Sequence, residues 1–186
     1  MRTEKEMKWT VLETKQVYER PWLNASRDIV KLPNGKIYDE FYILHYPDFV
    51  NVIAIDTDGQ IILEQQYRHA IGKVSTELVA GCVEPGETPL EGAQRELLEE
   101  TGYSGGSWTE IMTIAPNSGS ADNLCHCFLA QGVKPTADRH LDETEDIEVF
   151  LKKPTEVYDM LLRGDFLQAM MVAPLWKYFY QNPIDR

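Results

Sequence analysis

Three of the six glutamates in the stretch Gly81 to Tyr103, GCVEPGETPLEGAQRELLEETGY, crowd near its end. Glu96 stands three and four residues before Glu99 and Glu100. On a helix these offsets put the three carboxylates on one face, where each like-charge pair costs about 0.2–0.5 kcal/mol. Glu99 and Glu100 also fall in the last turn, where the helix dipole disfavours anions. Arg95, four residues before Glu99, neutralises part of this charge. The remainder suits hard divalent cations, which take several oxygen ligands. A solvated acidic helix face is the alternative, but it leaves the accompanying glycines, cap and arginine unexplained.

The segment carries its own start and stop signals. Thr88, Pro89 and Glu91 form an N-cap, a proline at the first helical position and a capping box. Gly102 is placed to end the helix. At about 100° per residue, Leu90, Leu97, Leu98 and Thr101 point one way and Gly92, Glu96, Glu99 and Glu100 the other.

Around this helix, 186 residues suit one domain or a domain with an appendage, long enough to bury a core. The apolar share of 43% is ordinary for a globular chain. A formal charge of −12 with no basic run argues against a nucleic-acid partner. An anionic small molecule remains compatible if cations lie between it and the protein. Met1 to Lys8 is polar and charged, so no signal peptide is expected, and no apolar run approaches membrane-spanning length. Three cysteines, two of them in Cys125-His126-Cys127, give no disulfide framework, and a cytoplasmic location is expected. Cys-x-Cys on a strand presents both thiols to one face, either as metal ligands or as part of a buried surface.

The run from Trp9 to Tyr18 alternates weakly and reads as a strand. Asp28 to Leu32 and Lys36 to Tyr46 flank the turn signal Pro33-Asn34-Gly35, and Phe49 to Ile55 and Gln60 to Gln66 flank Asp58-Gly59, giving two hairpins. Beyond the acidic helix, strands are expected at Trp108 to Ile114, Leu124 to Ala130 and Ile147 to Leu151. A helix opening at Pro154-Thr155-Glu156 should run to about Arg163, and a last helix from about Phe166 to Tyr180. Strands on both sides of an embedded helix imply a mixed α/β sheet with helices packed on it. The expected organisation is a small β-rich N-terminal segment, 1–47, followed by a main domain, 48–186.

The acidic segment resembles the signature of the Nudix hydrolases: a glycine, five residues, Glu, seven residues, then Arg-Glu-apolar-x-Glu-Glu-x-Gly-apolar. Gly81, Glu87, Arg95, Glu96, Leu97, Glu99, Glu100, Gly102 and Tyr103 fill those positions without departure. The resemblance implies the Nudix α/β/α sandwich and cleavage of a pyrophosphate with divalent cations, Mg²⁺ or also Mn²⁺. It implies Glu96 and Glu100 as metal ligands, together with the backbone carbonyl of Ala80, and Glu99 sharing the site or relaying a proton. Arg95 would orient the glutamates, and Glu87 would pair across the loop.

A wider likeness runs from Arg20-Pro21-Trp22 onward through EQQYRHAIGKVSTELVAGCVEPGE, Pro116 and DETEDIEVF. It is similar to the ADP-ribose and nucleoside-diphosphate-sugar pyrophosphatases. That branch implies a catalytic base and a further metal ligand in a late acidic loop, which here are Glu143 and Glu145 respectively, or the two exchanged. It also implies an N-terminal segment that packs across a two-fold axis and lends aromatics to the partner's nucleotide site. Tyr18, Arg20 and Trp22 are the residues available for that role in an expected homodimer.

The substrate contacts rest on residue chemistry. Arg68 suits a phosphate or terminal ribose, or else a surface salt bridge. Glu77 suits sugar hydroxyls, or a pair with Arg68. Trp22 and Tyr18 suit stacking on a base, or filling the N-terminal segment's own core. The expected activity is hydrolysis of a nucleoside diphosphate sugar to a nucleoside monophosphate and a sugar phosphate. A non-catalytic nucleotide sensor of the same fold is one rival, and a simple divalent-ion clip is another.

Overall fold

A computed structural model describes residues 1–184, so the last two positions of the expected main domain lie outside the described residues. The chain divides into two units, 1–46 with 117–123, and 47–116 with the chain from 124 onward.

The first unit begins with a single helical turn, α1 (Glu4–Met7), followed by an antiparallel sheet in the order β1 (Thr10–Arg20), β2 (Leu23–Lys31), β3 (Ile37–Leu44). The sequence led to one strand ending near Tyr18 and a hairpin opening at Asp28. Instead β1 continues to Arg20 and turns at Pro21-Trp22 straight into β2. Trp22 holds a left-handed φ of 66°, a conformation that bulky side chains seldom adopt and that no glycine or asparagine announces. Trp9 meets Phe41 edge to face at 5.7 Å. The stretch 117–123 closes on this sheet: Leu44 N–H donates to the Ser120 carbonyl at 2.7 Å. Ser26 Oγ lies 2.8 Å from His45 Nε2, and His45 Nδ1 lies 2.5 Å from Asp122 Oδ2. At 1% exposure Ser26 offers no hydroxyl to a substrate, so this relay joins strand to loop.

The second unit is built on β4 (Phe49–Asp56), a run buried at nearly every position. It pairs in parallel with β10 (Cys125–Pro135) and antiparallel with β7 (Val79–Cys82). β5 (Ile61–Arg68) joins β4 through the Asp58-Gly59 turn and pairs with β6 (Lys73–Glu77) and β11 (Glu148–Lys152). β8 (Tyr103–Ser104) and β9 (Ser107–Ile114) flank β10. The period of two along β4 sorts its side chains between two layers. Val50, Val52 and Ala54 pack with Ala93 and Leu97 of α2 (Pro89–Thr101). Ile53 and Ile55 face Val157 and Leu161 of α3 (Pro154–Arg163) and Met171, Leu175 and Phe179 of α4 (Ala169–Gln181). Helices thus cover both faces of a mixed sheet.

α4 starts three residues later than Phe166, because Gly164 ends α3 at φ 80° and the chain must extend before a new helix opens. α4 also contains Pro174, which has no N–H for the carbonyl of Met170 four residues back. The buried side chain of Asn51, on β4, donates Nδ2–H to that carbonyl at 2.5 Å.

Candidate active site

The helix that carries the acidic cluster is fixed at both ends. Thr88 N–H donates to Glu91 at 2.8 Å and Glu91 N–H to Thr88 Oγ1 at 3.3 Å, completing the capping box, while Gly102 ends the helix at φ 75°. Its buried arc is Gly92, Ala93, Glu96, Leu97, Glu100 and Thr101. The expectation that Leu90 joins the apolar face fails, since Leu90 is 38% exposed. The packed arc is centred between the leucine and glutamate stripes, so two of the three motif glutamates are buried along with Leu97.

Gly81 explains that packing. A Cβ built on it would overlap the carboxyl of Glu96, so the bare backbone of β7 is what leaves room for that carboxyl. Arg95 then gathers the charges around the loop. Its Nε donates to Glu87 at 2.8 Å and Nη2 to the same carboxylate at 3.1 Å. Nη1 reaches Glu96 at 2.9 Å and Glu99 at 3.0 Å, and Nη2 also reaches the Cys82 carbonyl at 2.8 Å. One guanidinium serves three carboxylates. It holds Glu87 below the usual carboxylate range, while burial outweighs it at Glu96 and pushes that carboxyl up.

Deeper in, Glu100 is 2% exposed and accepts from Ala80 N–H at 3.3 Å. It lies in hydrogen-bond contact with Glu64 of β5, which is 1% exposed. Burial pushes Glu64 up to about 8. Burial, and then the charges of Glu64 and Glu96, push Glu100 up to about 10. Such carboxyls keep their protons at neutral pH unless positive charge arrives.

This donor set fits a divalent cation: hard oxygens, several carboxyls, and one buried oxygen, Glu64 Oε1, with no hydrogen-bond partner. Among the described residues no three His, Cys, Asp or Glu side chains already converge as a cage. Arg95 holds Glu96 and Glu99, and Glu100 is turned to Ala80 and Glu64.

The late acidic loop docks on the end of α2. Thr136 N–H donates to the Gly102 carbonyl at 2.9 Å and His140 N–H to that of Glu99 at 2.8 Å. Arg139 ties the loop's base, donating Nε–H to the Glu100 carbonyl at 2.7 Å and Nη2–H to the Ile147 carbonyl at 2.5 Å. A cation at a helix C-terminus is also favoured by the dipole. Within the loop Glu145 is half-buried and accepts from Asp142 N–H at 2.9 Å. Its charge acts on Glu64, Glu96 and Glu100. Glu143 is exposed.

Arg68 meets Glu77 in a two-pronged pair at 2.8 and 2.5 Å, with Glu77 buried. Arg68 also lines a cavity of about 370 Å³ whose wall includes Ala80, Gly81 and Cys82, faced by Phe49, Ile71, Met170 and Met171. Tyr18, Arg20 and Trp22 are exposed on the N-terminal unit, Trp22 at 82%, rather than filling its core. Two site residues escaped the sequence reading. Glu64 had a signal, since alternation along IILEQQY puts it on the face of buried Ile62. Arg139 had none, being an isolated arginine in a loop.

Residues 45–169 match the family model described as NUDIX domain, and residues 9–44 match that described as nucleoside diphosphate sugar hydrolase N-terminal domain. An ADP-ribose pyrophosphatase of Bacillus subtilis is 33% identical over 165 residues, covering 83% of this chain and 89% of the relative. A methanol dehydrogenase activator of Bacillus methanolicus is 34% identical over 139 residues, covering 74% and 75%. The crystal structure of an ADP compounds hydrolase superposes with a TM-score of 0.82 over 95% of this chain and 96% of that one. At 21% identity that likeness concerns the fold.

Proposed function

The chain belongs to the NUDIX domain family, and from that premise we propose that it hydrolyses the pyrophosphate of a nucleoside diphosphate sugar, ADP-ribose or a close analogue, to a nucleoside monophosphate and a sugar phosphate. The observation that carries this reading is the buried acidic set of Glu64, Glu96 and Glu100 against β7, within a complete family motif. The relatives named ADP-ribose pyrophosphatase and the N-terminal match support the substrate class.

Glu96, Glu100, Glu145 and the Ala80 carbonyl would hold the divalent cation, Mg²⁺ by preference with Mn²⁺ as a substitute. When bound, the cation neutralises phosphate charge and acidifies water. Arg95 keeps Glu87, Glu96 and Glu99 in place so that the helix does not splay from the loop. Arg68, oriented by Glu77, grips a phosphate or the terminal ribose in the adjacent cavity. Glu143, in a loop moored at both ends by Arg139, takes the proton of the attacking water, a general-base role. Glu99 is the reserve for that role.

The assembly we expect is a homodimer formed through residues 1–47, with Tyr18, Arg20 and Trp22 contributing to the partner's nucleotide site. Support comes from β1, exposed along its whole length with Val11, Leu12, Val17 and Tyr18 open to solvent. Such an apolar, unpaired surface calls for a partner. The setting we expect is the cytoplasm, consistent with three free cysteines. Among the described residues, no helix is long and apolar enough to cross a membrane.

The test is a panel of nucleotide sugars incubated with purified protein and Mg²⁺ or Mn²⁺, with products read by ³¹P NMR. Two phosphomonoesters from one member of the panel support the proposal. Tight binding without cleavage would instead indicate a nucleotide sensor. Light scattering gives the assembly, and a mass near that of one 21.4 kDa chain would remove the dimer.

A further inference from the structure

Glu64 sits on β5 where alternation would place an aliphatic residue: Ile62, two positions earlier, packs in the layer with Ala93 and Leu97 of α2. Its carboxyl is buried against that of Glu100, and its Oε1 has no hydrogen-bond partner. Among the described residues, no lysine, arginine or histidine forms an ion pair with it. The arginines around it are engaged elsewhere: Arg68 with Glu77, Arg139 with the carbonyls of Glu100 and Ile147, and Arg95 with Glu87, Glu96, Glu99 and the Cys82 carbonyl.

A carboxyl oxygen buried without a partner carries a large desolvation cost, and two adjoining carboxylates repel. With no ion pair to it among the described residues, a cation bound at this oxygen would come from outside the chain. A hard divalent cation accepts six or more oxygens, and Arg95 already holds Glu96 and Glu99, so the shell has room for a further carboxylate beside Glu100. We propose that Glu64 is an additional ligand to that cation, supplied by the sheet and lying outside the motif, with Glu100 as its neighbour in the coordination shell. This rests on the reading that the site binds a divalent cation.

Mn²⁺ titration followed by electron paramagnetic resonance tests it on the full chain without any substrate. Glu64→Gln keeps the shape and can donate to Glu100, so the metal-free variant should melt at or above the wild-type temperature. Its Mn²⁺ Kd should nevertheless rise at least about tenfold, the loss seen even for groups that only support a ligand. Should that variant fail to fold, Glu64→Asp withdraws the carboxylate by one methylene and should weaken Mn²⁺ as well. Wild-type affinity in either folded variant overturns the proposal, as does a wild-type protein that binds no Mn²⁺. Because nothing is hydrolysed in this measurement, a failure to cleave nucleotide sugars has no bearing on whether Glu64 binds the cation.

Discussion

Gly81 and Glu96 occupy one another's space: the carboxyl of Glu96 fills the volume a Cβ at position 81 would need. The motif glycine is therefore a seat for a glutamate across the loop. Gly81→Ala should push Glu96 away from Arg95 and β7, lowering Mn²⁺ affinity by about 10–100-fold. Because the overlapping atoms are the end of a flexible side chain, the fold itself should lose little stability. An alanine variant with wild-type cation binding would show that Glu96 needs no such seat.

The roles proposed for the carboxylates separate by kinetics. Glu96→Gln and Glu100→Gln should each remove most of the turnover, since cation chemistry supplies several kcal/mol of barrier lowering. Glu143→Gln should slow turnover by about 10²–10⁴-fold with KM little changed. Glu145→Gln should instead raise the Mg²⁺ needed for half-maximal rate. Exchanged phenotypes would exchange the assignments, and two silent variants would move the base to Glu99.

Stability of the metal-free protein should fall as pH rises. Glu64 and Glu100 have folded pKa values of about 8 and about 10 against an ordinary 4.5. A raised folded pKa means that the folded state holds the proton more tightly. The stabilisation is therefore complete below the ordinary value and is lost as pH climbs through the folded ones. In EDTA, Tm should drop by at least about 3 °C between pH 5 and pH 9, the shift expected for about 1 kcal/mol in a chain this long. Excess Mg²⁺ should restore much of it, and Glu100→Gln should flatten the slope. A Tm in EDTA that is equal at both pH values and unmoved by Mg²⁺ would sink the idea.

Asn51 and Pro174 form a second matched pair, the proline freeing a carbonyl that the asparagine satisfies. Asn51→Leu should leave the Met170 carbonyl orphaned and cost about 1–3 kcal/mol. In a Pro174→Ala background the helix supplies its own N–H, so the same change at position 51 should cost clearly less. Additive effects in urea unfolding would show that the two residues are not coupled.

How much of this was legible in the sequence varied with the range of the signal. The capping box, the Gly102 stop and the Arg95–Glu99 spacing are local, and each gives a contact seen in the structure. Leu90 misled because periodicity fixes the relative angles of side chains on a helix but not which arc faces the sheet. The β1–β2 turn was missed because Trp22 adopts a conformation its residue type argues against. Glu64 and Arg139 gain their meaning only from partners far along the chain. Their environment is a product of folding that no nearby residue encodes.

The Ser26–His45–Asp122 relay has a consequence for the order in which this protein can be made. His45 and Asp122 are separated by 77 positions, so the N-terminal sheet leaves the ribosome before the loop that closes it has been synthesised. At about 5–20 residues per second, that interval is roughly 4–15 s. Throughout it the nascent sheet lacks its clasp, and β1 lies open with its row of apolar side chains. A chain that stalls or terminates before Asp122 never acquires the clasp at all. The first segment translated is thus among the last to be completed.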